Sequence, residues 1–195
     1  MTQIQTTILS TILIILVIPI LGLIIRGIEL TLIKITGPRL GMLIDNWLTI
    51  PGVVHHELAH AIVAFITGAK VLKIQLFNPN GNSLGSVTFR PRGFIVLRSV
   101  QLTLASVAPV IFGITSMLGL IYFGIPWASG SFLKILLIVY LLISILFHTT
   151  MSKPDIQNAL KGLPICSILI FIICYFTKFN ALLFIKDILF NLFVN

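Results

Sequence analysis

Five stretches of the chain are nearly free of charge, and the polar residues gather in short clusters between them. The first, residues 8–25, holds Pro19 and Gly22 and follows an uncharged N-terminal segment. Without a basic leader, and with a longer core than a signal peptide has, it predicts a retained transmembrane helix ending at Arg26. Residues 26–46 mix charge with apolar residues around Gly37-Pro38, which predicts an interfacial helix and then a turn. A second span covers 47–68, with Pro51 either in its first turn or kinking it. Residues 71–77 then alternate, 78–82 (Asn-Pro-Asn-Gly-Asn) carry turn chemistry, and 84–89 can return as a second strand, which together predict a β-hairpin at the membrane surface. Further spans fit 100–123, with Pro109 and Gly113 inside it, 132–150 and 164–176. The turn between the third and fourth occupies 124–130. Residues 179–195 are apolar but contain Lys186-Asp187, and either lie in the interface or extend the fifth helix. No internal repeat or low-complexity linker divides the chain.

Composition excludes the main alternatives to a membrane protein. Hydrophobic residues make up 57% of the 195, charged residues 9%, and the mean hydropathy is +1.12. An ordinary soluble domain is about 45–50% apolar and about 25% charged, so this chain has too little polar side chain to cover a water-exposed globule, and disorder would need low hydrophobicity. The expectation is an all-α polytopic membrane protein: a bundle of about five transmembrane helices with a small surface β-hairpin between the second and third, in a single membrane-embedded domain over 1–195. Cys166 and Cys174, eight residues apart in one apolar segment, are about 12 Å apart along a helix. That is beyond disulfide reach, so they read as packing residues.

The net charge of +8, from 13 Lys and Arg against 5 Asp and Glu, would suggest nucleic acid in a soluble protein. In an apolar chain it fits basic loops that set topology and meet anionic lipid, so the expected partners are the bilayer and no nucleic acid. Lys70, Lys73, Arg90, Arg92 and Arg98, with Lys153 and Lys161, place the 70–98 and 151–162 segments on the cytoplasmic side of a prokaryotic-type cell membrane. The same placement puts Arg26, Lys34 and Arg39 on the opposite side, which conflicts with it. Of the acids Glu29, Asp45, Glu57, Asp155 and Asp187, any that lies in an apolar segment needs a partner there.

The second span reads His55-His56-Glu57-Leu58-Ala59-His60, an HExxH pattern. Residues four apart share a helical face, so His56 and His60 can present ring nitrogens to one Zn²⁺ while Glu57 stands beside them as base for a metal-bound water. The bland alternative is a set of interhelical hydrogen bonds. His55 lies about 100° around the helix from His56 and reads as a supporting or packing residue. A catalytic zinc needs a third protein ligand. His148 and Asp155, seven residues apart at the end of the fourth span, are both candidates; depth in the membrane slightly favours His148, and ligand chemistry does not separate them.

The His56-Glu57-Leu58-Ala59-His60 helix resembles that of the site-2 protease family of intramembrane zinc metalloproteases. So does the order that follows: a surface β-hairpin, a span containing Ala108-Pro109, and a span ending in Pro154-Asp155. The resemblance covers residues 45–162 and is to a divergent, minimal member. It implies that an aspartate on the third core helix completes the zinc site, which is Asp155 here, leaving His148 as alternative ligand or pocket residue. Ile156 stands where the family commonly has glycine after that aspartate. Ala108-Pro109 replaces the usual Gly-Pro with no asparagine following, so the substrate-positioning asparagine has no counterpart. With no inserted PDZ-like or nucleotide-sensing domain, substrate selection is expected from the core or from a partner.

The expected activity is hydrolysis of peptide bonds in or near transmembrane segments, with a membrane protein or peptide as substrate, Zn²⁺ on His56, His60 and Asp155, and Glu57 as base. A strand edge at 71–77 or 84–89 could hold an unwound substrate segment; the plainer role of the hairpin is a lid or surface anchor. The alternatives from other classes are a non-catalytic membrane scaffold or chaperone that retains the zinc site, and a metal or proton transporter. The transporter is the weaker because the ionisable residues gather in one region.

Overall fold

A computed structural model describes residues 2–37, 48–78 and 83–194. The chain is mostly helical. Its elements are α1 (Gln3–Thr36), α2 (Ile50–Ile66), β1 (Lys70–Gln75), β2 (Ser86–Arg90), α3 (Ile95–Gly119), α4 (Phe132–His148), α5 (Lys153–Thr177) and α6 (Ala181–Val194). Three helical stretches are long and apolar enough to cross a membrane: Gln3–Ile35, Ile95–Ala128 and Lys153–Thr177. The other two expected spans form apolar helices of 17 residues each, α2 and α4. At 1.5 Å per residue these are about 25 Å long, short of a hydrocarbon core of about 30 Å.

Several expected boundaries move, each for a local reason. Arg26 does not end the first helix and no separate interfacial helix follows it. α1 continues to Thr36 and stops at Gly37, whose φ of 84° turns the chain out of the helical region at little cost for a residue without Cβ. The part of the expected interfacial segment beyond Gly37, with Asp45 and Arg39, lies outside the described residues, as do Trp47 and most of the hairpin turn. The third helix likewise outruns the turn expected at 124–130. A π turn, Leu120–Gly124, absorbs the breakers Gly124 and Pro126, and one more helical turn, Ile125–Ala128, precedes the reversal at Ser129 and Gly130. The fifth helix begins well before Pro164. Ser152 caps it through a capping box with Asp155, and Pro154 sits in its first turn, so the expected 151–162 loop is largely its opening turns. α6 is a separate helix rather than an extension of α5, because Lys178 takes a left-handed conformation at φ 54°. Ser10 fixes the joint by donating to the Phe179 carbonyl and accepting from the Ala181 amide.

α3 is the central helix, packed chiefly against α2 and α5 and also touching α1 and α4. Small residues make up much of the buried surface of both helices, Ala59, Ala61 and Ala64 on α2 and Ala105, Val107, Ala108 and Val110 on α3, and Ala64 and Ala105 belong to one buried cluster. Small side chains let helices approach closely. A Cβ on Gly162 would run into the Ser99 carbonyl and the Thr103 hydroxyl, and one on Gly113 into Thr149.

β1 and β2 form a two-stranded antiparallel hairpin that pairs Lys70 with Arg90 and Gln75 with Ser86, with an irregularity at Leu72. Its base is pinned. Val71 and Phe89, a register pair, pack on Ala64, Ala69 and Ala105. The fully buried Gln101 of α3 donates to the Thr67 carbonyl at the end of α2 and accepts the Arg92 amide just after β2. One amide side chain thus ties the end of α2, α3 and the hairpin together.

Candidate metal centre

His56 and His60 stand one turn apart on α2, and Asp155 lies in the first turn of α5. The His60 Nε2 is 3.1 Å from the His56 Nε2 and 3.4 Å from Asp155 Oδ1. Ligand atoms of the three side chains all fall within 4.8 Å of one another, and among the described residues no other set of three or more His, Cys, Asp or Glu side chains converges in this way.

The opposite edges of the two rings decide what this convergence means. The His56 Nδ1 donates to the carbonyl of His148 at 2.7 Å, and the His60 Nδ1 donates to the carbonyl of Ala105 at 2.7 Å. A carbonyl only accepts, so each Nδ1 carries the ring proton, and in the neutral ring each Nε2 is left as a lone pair. Two bare nitrogens 3.1 Å apart repel unless a cation, a metal ion or a shared proton, stands with them. A tetrahedral zinc with bonds of about 2.0–2.2 Å separates its ligand atoms by about 3.3–3.6 Å, close to the two distances found. A carbonyl holding the far nitrogen is also the usual arrangement for a metal-bound histidine. The two imidazoles and one carboxylate present could together hold a metal ion.

Asp155 is held by the same device that starts its helix. The Ser152 amide donates to Asp155 Oδ2 at 2.9 Å, the Ser152 hydroxyl also bonds that oxygen, and the Asp155 amide donates to the Ser152 hydroxyl at 3.3 Å. With Oδ2 committed to the cap, Oδ1 is the oxygen turned to His60. Glu57, adjacent to His56, is buried. The hairpin backbone passes over its carboxyl group: a Cβ on Gly85 would lie 2.6 Å from Glu57 Cγ and 2.8 Å from Oε1.

The two remaining histidines stand apart from this convergence. The His148 Nε2 bonds the Thr49 hydroxyl at 2.8 Å, so it is the main chain of His148, not its ring, that reaches the centre. The His55 Nε2 bonds the Ser116 hydroxyl on α3 at 2.9 Å and links the two helices. Cys166 and Cys174 are free and buried, with the Cys166 thiol on the Ser99 carbonyl. Sequence reasoning missed the supporting groups: the Ala105 and His148 carbonyls, the Ser152 cap and the Gly85 cover. A Ser-x-x-Asp spacing at a helix start is legible as a cap. The carbonyls carry no side-chain signal at all.

No family model, curated protein or solved structure matches this chain.

Proposed function

We propose that this chain is an intramembrane zinc metalloprotease of the site-2 type, cutting peptide bonds in or near transmembrane segments of membrane proteins or peptides. The observation that carries the reading is the meeting of His56 Nε2, His60 Nε2 and Asp155 Oδ1, with both far ring nitrogens fixed by carbonyls and a buried glutamate next in sequence. A metal ion bound by both Nε2 atoms and the carboxylate oxygen would account for all three groups at once.

A zinc ion held there would supply a water activated at neutral pH and a Lewis acid for the scissile carbonyl. The chain's own groups then divide the work. Glu57, one residue from the ligand pair and screened from bulk solvent by the hairpin, accepts the proton of the attacking water and returns it to the leaving amine. His56 and His60 stay in one tautomer throughout, because the carbonyls on their Nδ1 atoms leave them no alternative donor. The hairpin over Glu57 limits water at the site and offers strand edges on which an unwound segment could pair. In this reading α1 to α5 form a five-helix bundle, α2 and α4 reach across with the help of flanking residues, and the site opens to the cytoplasmic side, where the hairpin's basic residues lie.

The test is metal content with activity. The purified protein should carry about one zinc per chain, and Glu57→Gln should keep it while losing cleavage of a single-span substrate in proteoliposomes. Zinc retention with no cleavage by the wild-type protein against a panel of such substrates would favour a membrane scaffold that keeps the site. Cleavage retained by Glu57→Gln would remove Glu57 as the base.

A further inference from the structure

Pro109 sits inside α3, which runs unbroken from Ile95 to Gly119, and it is fully buried. In a regular helix the amide of residue 109 would donate to the carbonyl of residue 105. Proline has no N–H, and its ring pushes that carbonyl off the helix axis. Ala105 is 0% exposed, so water cannot take the place of the missing donor. The group that does is the His60 Nδ1–H, 2.7 Å away.

We propose that Pro109 is a positioning residue for the metal ligand His60: it leaves one mid-helix carbonyl of α3 without an intrahelical donor, and that carbonyl fixes the ring orientation and tautomer of His60. The inference rests on the metal-site reading above. The two ligand histidines need the same thing, an acceptor one turn apart from its twin, and obtain it by different means. His56 uses the carbonyl of His148, the last residue of α4, and the last four carbonyls of any helix lack an intrahelical partner. His60 faces the middle of a helix, where a carbonyl is ordinarily held along the axis by the amide four positions on; at Ala105 that amide hydrogen is missing. Restoring that hydrogen draws the carbonyl back parallel to the axis and into a competing bond, loosening the His60 ring.

The inference separates position from stability. Proline is the least favourable residue in a helix interior and alanine the most favourable, so a purely structural view expects Pro109→Ala to be neutral or beneficial throughout. The positioning role instead predicts a helix as stable as before with a weaker metal site.

The test uses the full-length chain in detergent micelles, comparing wild type, Pro109→Ala and, as control, Pro164→Ala, which makes the same change inside α5 away from the ligands. Competition titration with Zn²⁺ should show affinity reduced about 10–100-fold in Pro109→Ala, with a changed visible spectrum for Co²⁺ and a thermal midpoint at or above wild type. Pro164→Ala should leave affinity and spectrum unchanged. In the metal-free wild type, ¹⁵N imidazole spectra should show His60 as the Nδ1–H tautomer with a slowly exchanging proton, and Pro109→Ala should lose that protection. Affinity within twofold of wild type together with an unchanged His60 spectrum would overturn the proposal, as would a wild-type His60 with no protected Nδ1–H. A wild type that binds no metal defeats the metal reading instead, and the metal-free spectra still decide the role of Pro109.

Discussion

At Gly52, in the first turn of α2, the helix bearing His56 and His60 packs tightly against α4. The Gly52 amide donates to the Ser144 hydroxyl at 2.8 Å. A Cβ there would overlap the Ser144 carbonyl oxygen and lie 2.6 Å from Cδ2 of His148. A backbone carbonyl cannot rotate away as a side-chain tip can, so Gly52→Ala must push the two helices apart. Overpacking of this kind costs about 1–3 kcal/mol, and the better helix propensity of alanine offsets up to about 1 kcal/mol. The net expectation is a loss of about 0–2 kcal/mol, using those two ranges. The control is Gly119→Ala at the end of α3, where an added Cβ meets nothing within 4 Å and a gain of about 0.5–1 kcal/mol is expected. Reversible unfolding of the three proteins in mixed micelles should place them in the order Gly119→Ala, wild type, Gly52→Ala. Because α4 carries the carbonyl that holds the His56 Nδ1 at 2.7 Å, zinc affinity should fall about tenfold in Gly52→Ala as well. A Gly52→Ala protein as stable as Gly119→Ala, with unchanged zinc affinity, would refute the close-approach argument.

Replacing Asp155 by Ala should lower zinc occupancy, measured by elemental analysis after dialysis, more than replacing His148 by Ala does. The first change removes a converging oxygen, the second a ring bonded to Thr49. Ser152→Ala should cost about 0.5–2 kcal/mol through the lost cap and also weaken metal binding, since Asp155 Oδ2 loses the hydroxyl that anchors it; equal zinc affinity would mean that the cap does not orient the carboxylate. Gln101→Leu should strand the Thr67 carbonyl and the Arg92 amide. Each lost bond should cost about 0.5–1.5 kcal/mol, and hydrogen exchange should then speed up in the hairpin before it does in α3. Gly85→Val should keep zinc but slow cleavage, because the added carbons fall on the Glu57 carboxyl group; unchanged turnover would show that the hairpin does not sit over Glu57 during catalysis.

Much of this was legible in the order of residues. The scarcity of charge determined a membrane-embedded helical chain, because too little polar surface exists to solvate it. The alternation of 71–77 and 84–89 around a turn determined the hairpin, and the i, i+4 spacing of His56 and His60 placed both rings on one helical face whatever that helix packs against. Helix ends were less legible. Arg26 does not stop α1 and Gly124 does not stop the third helix, because a helix already held by its neighbours tolerates a charge or one weak residue. A glycine at positive φ stops the first, and the reversal at Ser129 and Gly130 ends the second.

Ligand chemistry left His148 and Asp155 open and only the family resemblance favoured Asp155; the fold brings Asp155 Oδ1 beside His60 and turns the His148 ring to Thr49. The two are seven residues apart, and which one faces α2 depends on where α4 ends and α5 begins. The Ser152 cap sets that boundary by turning Asp155 into the first turn of α5. Only the fold, too, could show that His56 and His60 are held by main-chain carbonyls, since every residue has one and the sequence marks none. Pro109 is the partial exception: its missing amide is written in the sequence, but that the freed carbonyl meets His60 is a fact of how α3 packs on α2.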